Sequence, residues 1–157
     1  MTCSCRRGEK SANEVPLKIK RLHPDAVIPA YQSEGSAGFD LHAVENVEAQ
    51  SGSTVLVKTG LSVEVPPGYE LQIRPRSGVS LKTGLMVKNA PGTIDSDYRG
   101  EVCIIIYNNG EWFGHYINKG DRIAQAVLKR VERAAIQEVE ELSTTVRGTG
   151  GLGSTGV

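Results

Sequence analysis

The sequence predicts an all-β domain, an antiparallel β jelly roll or barrel with one short helix and a Gly-rich C-terminal tail. Three observations carry that expectation. Short runs rich in β-branched residues recur along the chain, apolar and polar residues alternate within them, and clusters of Pro, Gly and Asn divide them. At 157 residues with 39% hydrophobic residues, the chain suffices for one domain with one buried core.

Taken in order, residues 1–14 are polar and charged without apolar periodicity, the pattern of a disordered N-terminal arm. Residues 15–22 alternate, with Val15, Leu17 and Ile19 set against Lys18 and Lys20. Residues 54–57 and 61–65 are β-branched runs, and residues 69–73 alternate again. Pro66-Pro67-Gly68, Asn109-Gly110 and Asn118-Lys119-Gly120 read as turns. A short helix fits residues 79–82, where its free N–H groups would face an anion. Residues 121–142 read locally as a helix, because they are rich in Ala, Glu, Arg and Leu and space Ile123, Val127, Val131 and Ala134 helically. The first three of those residues also share one face in a period-2 strand.

Charge and cysteine content exclude several function classes. Lys plus Arg number 18 and Asp plus Glu number 18, so no global basic field draws the chain to nucleic acid or an anionic membrane, and any anion site is local. No apolar stretch approaches the roughly 20 residues that span a bilayer, and the N-terminus lacks a secretory apolar core, which predicts a soluble, cytoplasmic protein. Cys3 and Cys5 form a lone Cys-x-Cys with no second ligand pair, and Cys103 sits in the apolar run 102–106 as a buried strand thiol; a disulfide framework is not expected.

The chemistry-bearing segments occur in a fixed order. Ala37-Gly38-Phe39-Asp40-Leu41 comes first, followed by Arg74-Pro75-Arg76-Ser77-Gly78 and then Gly92-Thr93-Ile94-Asp95-Ser96-Asp97-Tyr98-Arg99-Gly100. Gly120-Asp121-Arg122-Ile123-Ala124-Gln125 is fourth, and Arg147-Gly148-Thr149-Gly150-Gly151-Leu152-Gly153-Ser154-Thr155-Gly156 closes the series. One such segment is weak evidence, but five in this order closely resemble the motifs of the homotrimeric dUTPases. The resemblance implies strands rather than a helix over 121–142, a β-barrel domain over 15–142, and a flexible lid over 143–157.

It also implies roles. Asp95 would activate a water for attack on the α-phosphorus of dUTP, a task suited to a carboxylate that can orient the water and accept its proton. Tyr98 would pack on the sugar and exclude a ribose 2′-OH. Asn89, Gly92, Thr93, Ile94 and the strand position at Cys103 would read the uracil edge, Asn offering both a donor and an acceptor and Gly a close backbone approach. Arg76, Ser77 and Gly78, from a neighbouring subunit, would cradle phosphate oxygens together with Gln125. Asp121 and Arg122 could equally form a surface turn with an ion pair. Asp40 would orient waters on a Mg²⁺ held mainly by the substrate phosphates, in keeping with an ion that retains several waters. Arg147, Leu152, Gly153 and Ser154 belong to the lid, where the family usually has an aromatic ring at the position of Leu152. Leucine can cover a base by apolar contact without the stacking geometry. A deaminase of the same fold would carry a Glu near the base, and a non-catalytic relative need not keep Asp95, Tyr98 and Arg76 together.

Overall fold

The computed structural model describes residues 14–110 and 114–154. Cys3, Cys5 and the expected arm up to residue 13 lie outside the described residues, as do Thr155 and Gly156 of the tail. Among the described residues the elements are β1 (Lys18–Arg21), β2 (Phe39–His42), β3 (Val47–Ala49), β4 (Thr54–Glu64), β5 (Tyr69–Arg74), α1 (Ser77–Lys82), β6 (Leu85–Val87), β7 (Gly92–Ile94), β8 (Glu101–Asn108), β9 (His115–Ile117) and β10 (Arg122–Arg130). Every pairing is antiparallel. Two four-stranded sheets, ordered β1-β4-β8-β6 and β2-β10-β5-β7, face each other, and β3-β9 forms a short third ribbon. Among the described residues the fold is a β jelly roll with one short helix, as the sequence predicts.

Alternation builds the core. Along β8, Val102, Ile104 and Ile106 are buried while Cys103, Ile105 and Tyr107 are only half-buried. Those inward residues meet Leu71 and Ile73 of β5, Phe39 and Leu41 of β2, and Ala124 and Ala126 of β10 in one cluster. Full burial of each large aliphatic side chain contributes about 1.5–3 kcal/mol. Asn108 ends the inward row of β8 and is itself buried. Its Nδ2 donates to Ala49 O at 2.8 Å and its Oδ1 accepts from the Gly110 N–H at 2.9 Å. A polar group can therefore close the barrel end without an unmade bond.

The two β-branched runs at 54–57 and 61–65 are halves of one strand. Gly60 joins them in the left-handed region at φ 67°, and the pairing advances four residues on β4, from Lys58 to Ser62, against two on β8, from Cys103 to Glu101. Such a bulge leaves donors off the ladder. Here the Gly60 N–H goes to Glu101 Oε1 at 2.8 Å, and the Thr59 hydroxyl donates to Val102 O at 2.6 Å.

Residues 121–142 divide in two. Arg122–Arg130 is a strand, hydrogen-bonded on one side to β2 and on the other to β5, so sheet pairing overrides the local helical composition. Residues 131–142 form no strand or helix and are exposed. A register shift between Arg122 and Ala124 lets both Ile123 and Ala124 point into the core. The helix α1 begins two residues before the expected start, at Ser77.

A Cβ built at Gly60 would lie 2.9 Å from Cβ of both Ala26 and His23, whereas at Gly52, also left-handed at φ 70°, nothing lies within 4 Å. Gly52→Ala therefore pays for conformation alone, about 1 kcal/mol, while Gly60→Ala adds a clash in a packed turn and is expected to cost about 3 kcal/mol. Urea midpoints of the two variants check the order; equal losses would contradict it.

Candidate active site

The Asp95 loop is set by the bulge on β4. Ile94 of β7 stands opposite Leu71 of β5, and Asp95 follows it as an exposed carboxylate. The Tyr98 N–H closes a turn onto Asp95 O at 3.2 Å. Arg99 Nη1 donates to the carbonyls of Ser96 and Tyr98, each at 2.8 Å, and the Arg99 carbonyl accepts from the hydroxyl of Ser62 at 2.8 Å. Tyr98 donates its hydroxyl to Glu101 O at 3.0 Å and lays its ring over Gly100, where a Cβ would have no room. These bonds hold Asp95 and Tyr98 at one mouth of the barrel.

Most of the expected base-reading residues precede this loop, on β7 and the turn before it. A Cβ on Gly92 would sit 3.1 Å from Asn89 Nδ2, so the Asn89 side chain lies close against the Gly92 backbone. Thr93 is exposed and Ile94 half-buried on the same short strand. Cys103 lies on the other sheet, opposite Lys58, where burial and then the nearby Glu101 carboxylate push its thiol pKa up.

A second cluster forms around Asp40. Its buried carboxylate accepts from Arg76 Nε at 2.6 Å through Oδ1 and from Arg122 Nη1 at 3.3 Å through Oδ2. Arg76 Nη1 also donates to Arg122 O at 3.0 Å. Gln125 stands opposite Asp40 on one side and Arg74 on the other, and its Nε2 donates to Pro75 O at 2.9 Å. Gly38 makes room for this row: a Cβ there would lie 3.1 Å from Gln125 Oε1 and 3.0 Å from Ala126 O. Arg76 is the N-cap of α1, and Ser77 and Gly78 present an exposed first turn beside it. A cavity of about 410 Å³ lined by Gln72, Arg74, Pro75, Ala90, Pro91 and Gln125 lies on the same face. A larger one, about 580 Å³, opens among Leu17, Ile19, Tyr31, Phe39 and Leu128 and includes none of the expected site residues.

The cavity joins the turn before β7 to the Asp40 cluster, but Asp95 itself lies at the far end of β5. From Leu71, opposite Ile94, to Arg76 is five residues of extended chain, about 16 Å at roughly 3.3 Å per residue. Arg76 then turns toward β2, while β7 is the other edge of that sheet. Asp95 and Arg76 thus occupy diagonal corners. The tail meets neither in these bonds: Arg147 Nε donates to Gly150 O at 2.8 Å, and the Ser154 N–H to Gly151 O at 3.0 Å. Leu152 is fully exposed at φ 43°, and Gly153 is left-handed at φ 93°.

Sequence reasoning missed the part of Arg122, whose partner Asp40 is 82 positions away, and of His42. Asp121 does form the surface turn, its Oδ2 accepting from the Asn118 N–H at 2.8 Å. Among the described residues no group of three His, Cys, Asp or Glu side chains could hold a metal ion, and no helix is long and apolar enough to cross a membrane.

Comparison with known proteins adds a family to this geometry. The dUTPase family model matches residues 25–156. A deoxyuridine 5′-triphosphate nucleotidohydrolase of Wolinella succinogenes is 55% identical over 144 residues, covering 91% of this chain and 95% of the relative. One of Nautilia profundicola is 55% identical over 140 residues, covering 89% and 98%. Among solved structures, the Staphylococcus bacteriophage 80alpha dUTPase with dUpNHpp superposes with a TM-score of 0.85 at 31% identity, covering 90% of this chain and 99% of that one. A dUTPase from phage phi11 of S. aureus, a mutant whose structure details the coordination of a structural Mg(II) ion, gives a TM-score of 0.77 at 27% identity over 83% and 100%.

His42 ends β2 opposite Arg122, with Nδ1 buried and unpaired. Burial lowers its pKa below 6.5, against the opposing pull of Asp40 and with smaller help from Arg122 and Arg76. The native state therefore prefers the neutral ring, and the unfolded chain takes up the proton first as pH falls. His42 thus subtracts stability progressively as pH drops below about 6.5. His42→Gln is expected to flatten the stability curve in that window, measured by urea unfolding across pH. An unchanged slope would contradict the burial of an unprotonated ring.

Proposed function

This chain belongs to the dUTPase family and is a dUTP diphosphatase that hydrolyses dUTP to dUMP, and on that premise we propose how its residues perform the reaction. Asp95 accepts a proton from a water whose oxygen attacks the α-phosphorus. The bond to the bridging oxygen breaks opposite the attack, and pyrophosphate departs with the electron pair. An exposed carboxylate in a turn pinned by three side chains suits this task, because a general base contributes only when its geometry is fixed. Tyr98 covers the deoxyribose. Asn89, Gly92, Thr93, Ile94 and the backbone at Cys103 read uracil, leaving no space for a thymine methyl.

Arg76, Ser77, Gly78 and Gln125 bind the phosphates, and Arg147, Leu152, Gly153 and Ser154 close over the nucleotide, excluding water as the charge clamp completes. The observation that carries this reading is the diagonal separation of Asp95 from Arg76. Asp95 and Arg76 lie at opposite ends of β5, which favours a phosphate cradle supplied by a neighbouring copy. A homotrimer with sites shared between three subunits meets that requirement, closing the head-to-tail contact into a ring.

Mg²⁺ fits the donor set. Two arginines occupy part of the acceptor capacity of Asp40, a carboxylate with roughly four lone-pair sites, and the remainder can orient waters of an ion bound through phosphate oxygens. When bound, the ion would neutralise charge building on the phosphates. The protein's own share is to hold Asp40 and Arg76 beside that chain. Limiting dUTP and supplying dUMP for thymidylate synthesis follow as the cellular role.

Asp95→Asn tests the mechanism. It is expected to bind dUTP while turnover falls at least about a hundredfold, the scale of a lost general base. Pyrophosphate release should be confined to dUTP when UTP, dCTP and dTTP are assayed in parallel. Near-normal turnover in the variant would overturn the role given to Asp95.

A further inference from the structure

We propose that Arg122 is a positioning residue that acts on the reaction through Arg76. Three residues from three separate segments close a ring. Asp40 of β2 accepts from Arg76 Nε at 2.6 Å, Arg122 of β10 donates to the other oxygen of Asp40 at 3.3 Å, and the Arg122 carbonyl accepts from Arg76 Nη1 at 3.0 Å. Two of the three guanidinium nitrogens of Arg76 are thereby fixed. The third, Nη2, has no bond among the described residues and is left as a donor for an anion. A fork held at two points presents its free donors in one direction, which a freely rotating arginine does not.

Charge supports the same assignment. Asp40 and Arg76 alone would form a neutral pair with little attraction for phosphate. Arg122 leaves the trio with one net positive charge, in a setting where Asp40 is buried and the Arg76 side chain only a quarter exposed. The side chain of Arg122 is itself half exposed, with its outer nitrogen spent on Asp40 rather than on α1 or the turn that precedes β10.

The proposal rests on the reading that Arg76 meets the substrate phosphates. Arg76→Ala by itself tests that reading, and a silent Arg76→Ala would remove both. Arg122→Gln keeps the backbone carbonyl and a polar side chain but not the charge or the full reach, and is expected to lower kcat/KM for dUTP about tenfold and to weaken pyrophosphate inhibition similarly. In an Arg76→Ala background the same substitution should change kcat/KM less than about twofold, because its effect passes through a side chain already gone. Arg122→Lys retains the charge and is expected within about threefold of the parent enzyme. Equal losses from Arg122→Gln in both backgrounds would mean that Arg122 touches substrate independently, and no loss in the parent would mean that it does neither; each result overturns the proposal. A lysine variant as slow as the glutamine variant would overturn it as well, and that comparison with the parent stands even if the glutamine variant fails to fold.

Discussion

Strand β5 is held between β10 and β7 by unbroken ladders from Tyr69 to Arg74 on one side and from Leu71 to Ile73 on the other, and that rigidity fixes the spacing of everything chemical in this chain. Asp95 leaves the sheet near the start of β5, and Arg76 lies just past its end. Because Leu71 and Ile73 point into the core, the strand cannot shift by one residue without exposing them. The distance between the candidate base and the candidate phosphate arm is therefore a property of the core. On the proposed reading, in which both groups act at one nucleotide, a second chain supplies the phosphate arm.

The same economy shows in how each half-site is braced. The Asp95 loop has no apolar anchor of its own and depends on Ser62, Arg99 and Glu101, which meet because Gly60 offsets β4 against β8. The phosphate arm depends on Asp40, which is buried and would be costly there without its arginines. Both braces are polar groups from distant parts of the chain, placed by strand register rather than by local sequence.

Much of this was legible in the residues. An apolar run foretold β8 and alternation foretold β5, turn residues lay at their ends, and the ordered Gly- and Arg-bearing segments pointed to a nucleotide site. What was not legible has physical reasons. Ile123, Val127 and Val131 lie four residues apart, which puts them on one face of a strand as well as near one face of a helix, so spacing alone could not decide; two flanking strands did. The runs 54–57 and 61–65 read as separate, whereas Glu101 accepts the Gly60 N–H and lets one strand continue through both. Arg122 read with Asp121 as a surface turn with an ion pair, because its partner Asp40 is remote in sequence. The exposed Ile136, Val139 and Leu142 beyond β10 follow no pattern that the fold of one chain explains.

The central claim is that Asp95 and Arg76 serve one site from different chains, and co-assembly of two inactive variants tests it most directly. Asp95→Asn and Arg76→Ala proteins, each too slow to assay alone, would be mixed under conditions where subunit exchange is demonstrated by mass. Shared sites predict recovery toward about a quarter of parental activity at equal mixing, the fraction of sites in which both functional residues come from intact copies. Exchange without any recovery would place both residues of a working site in one chain and contradict the account.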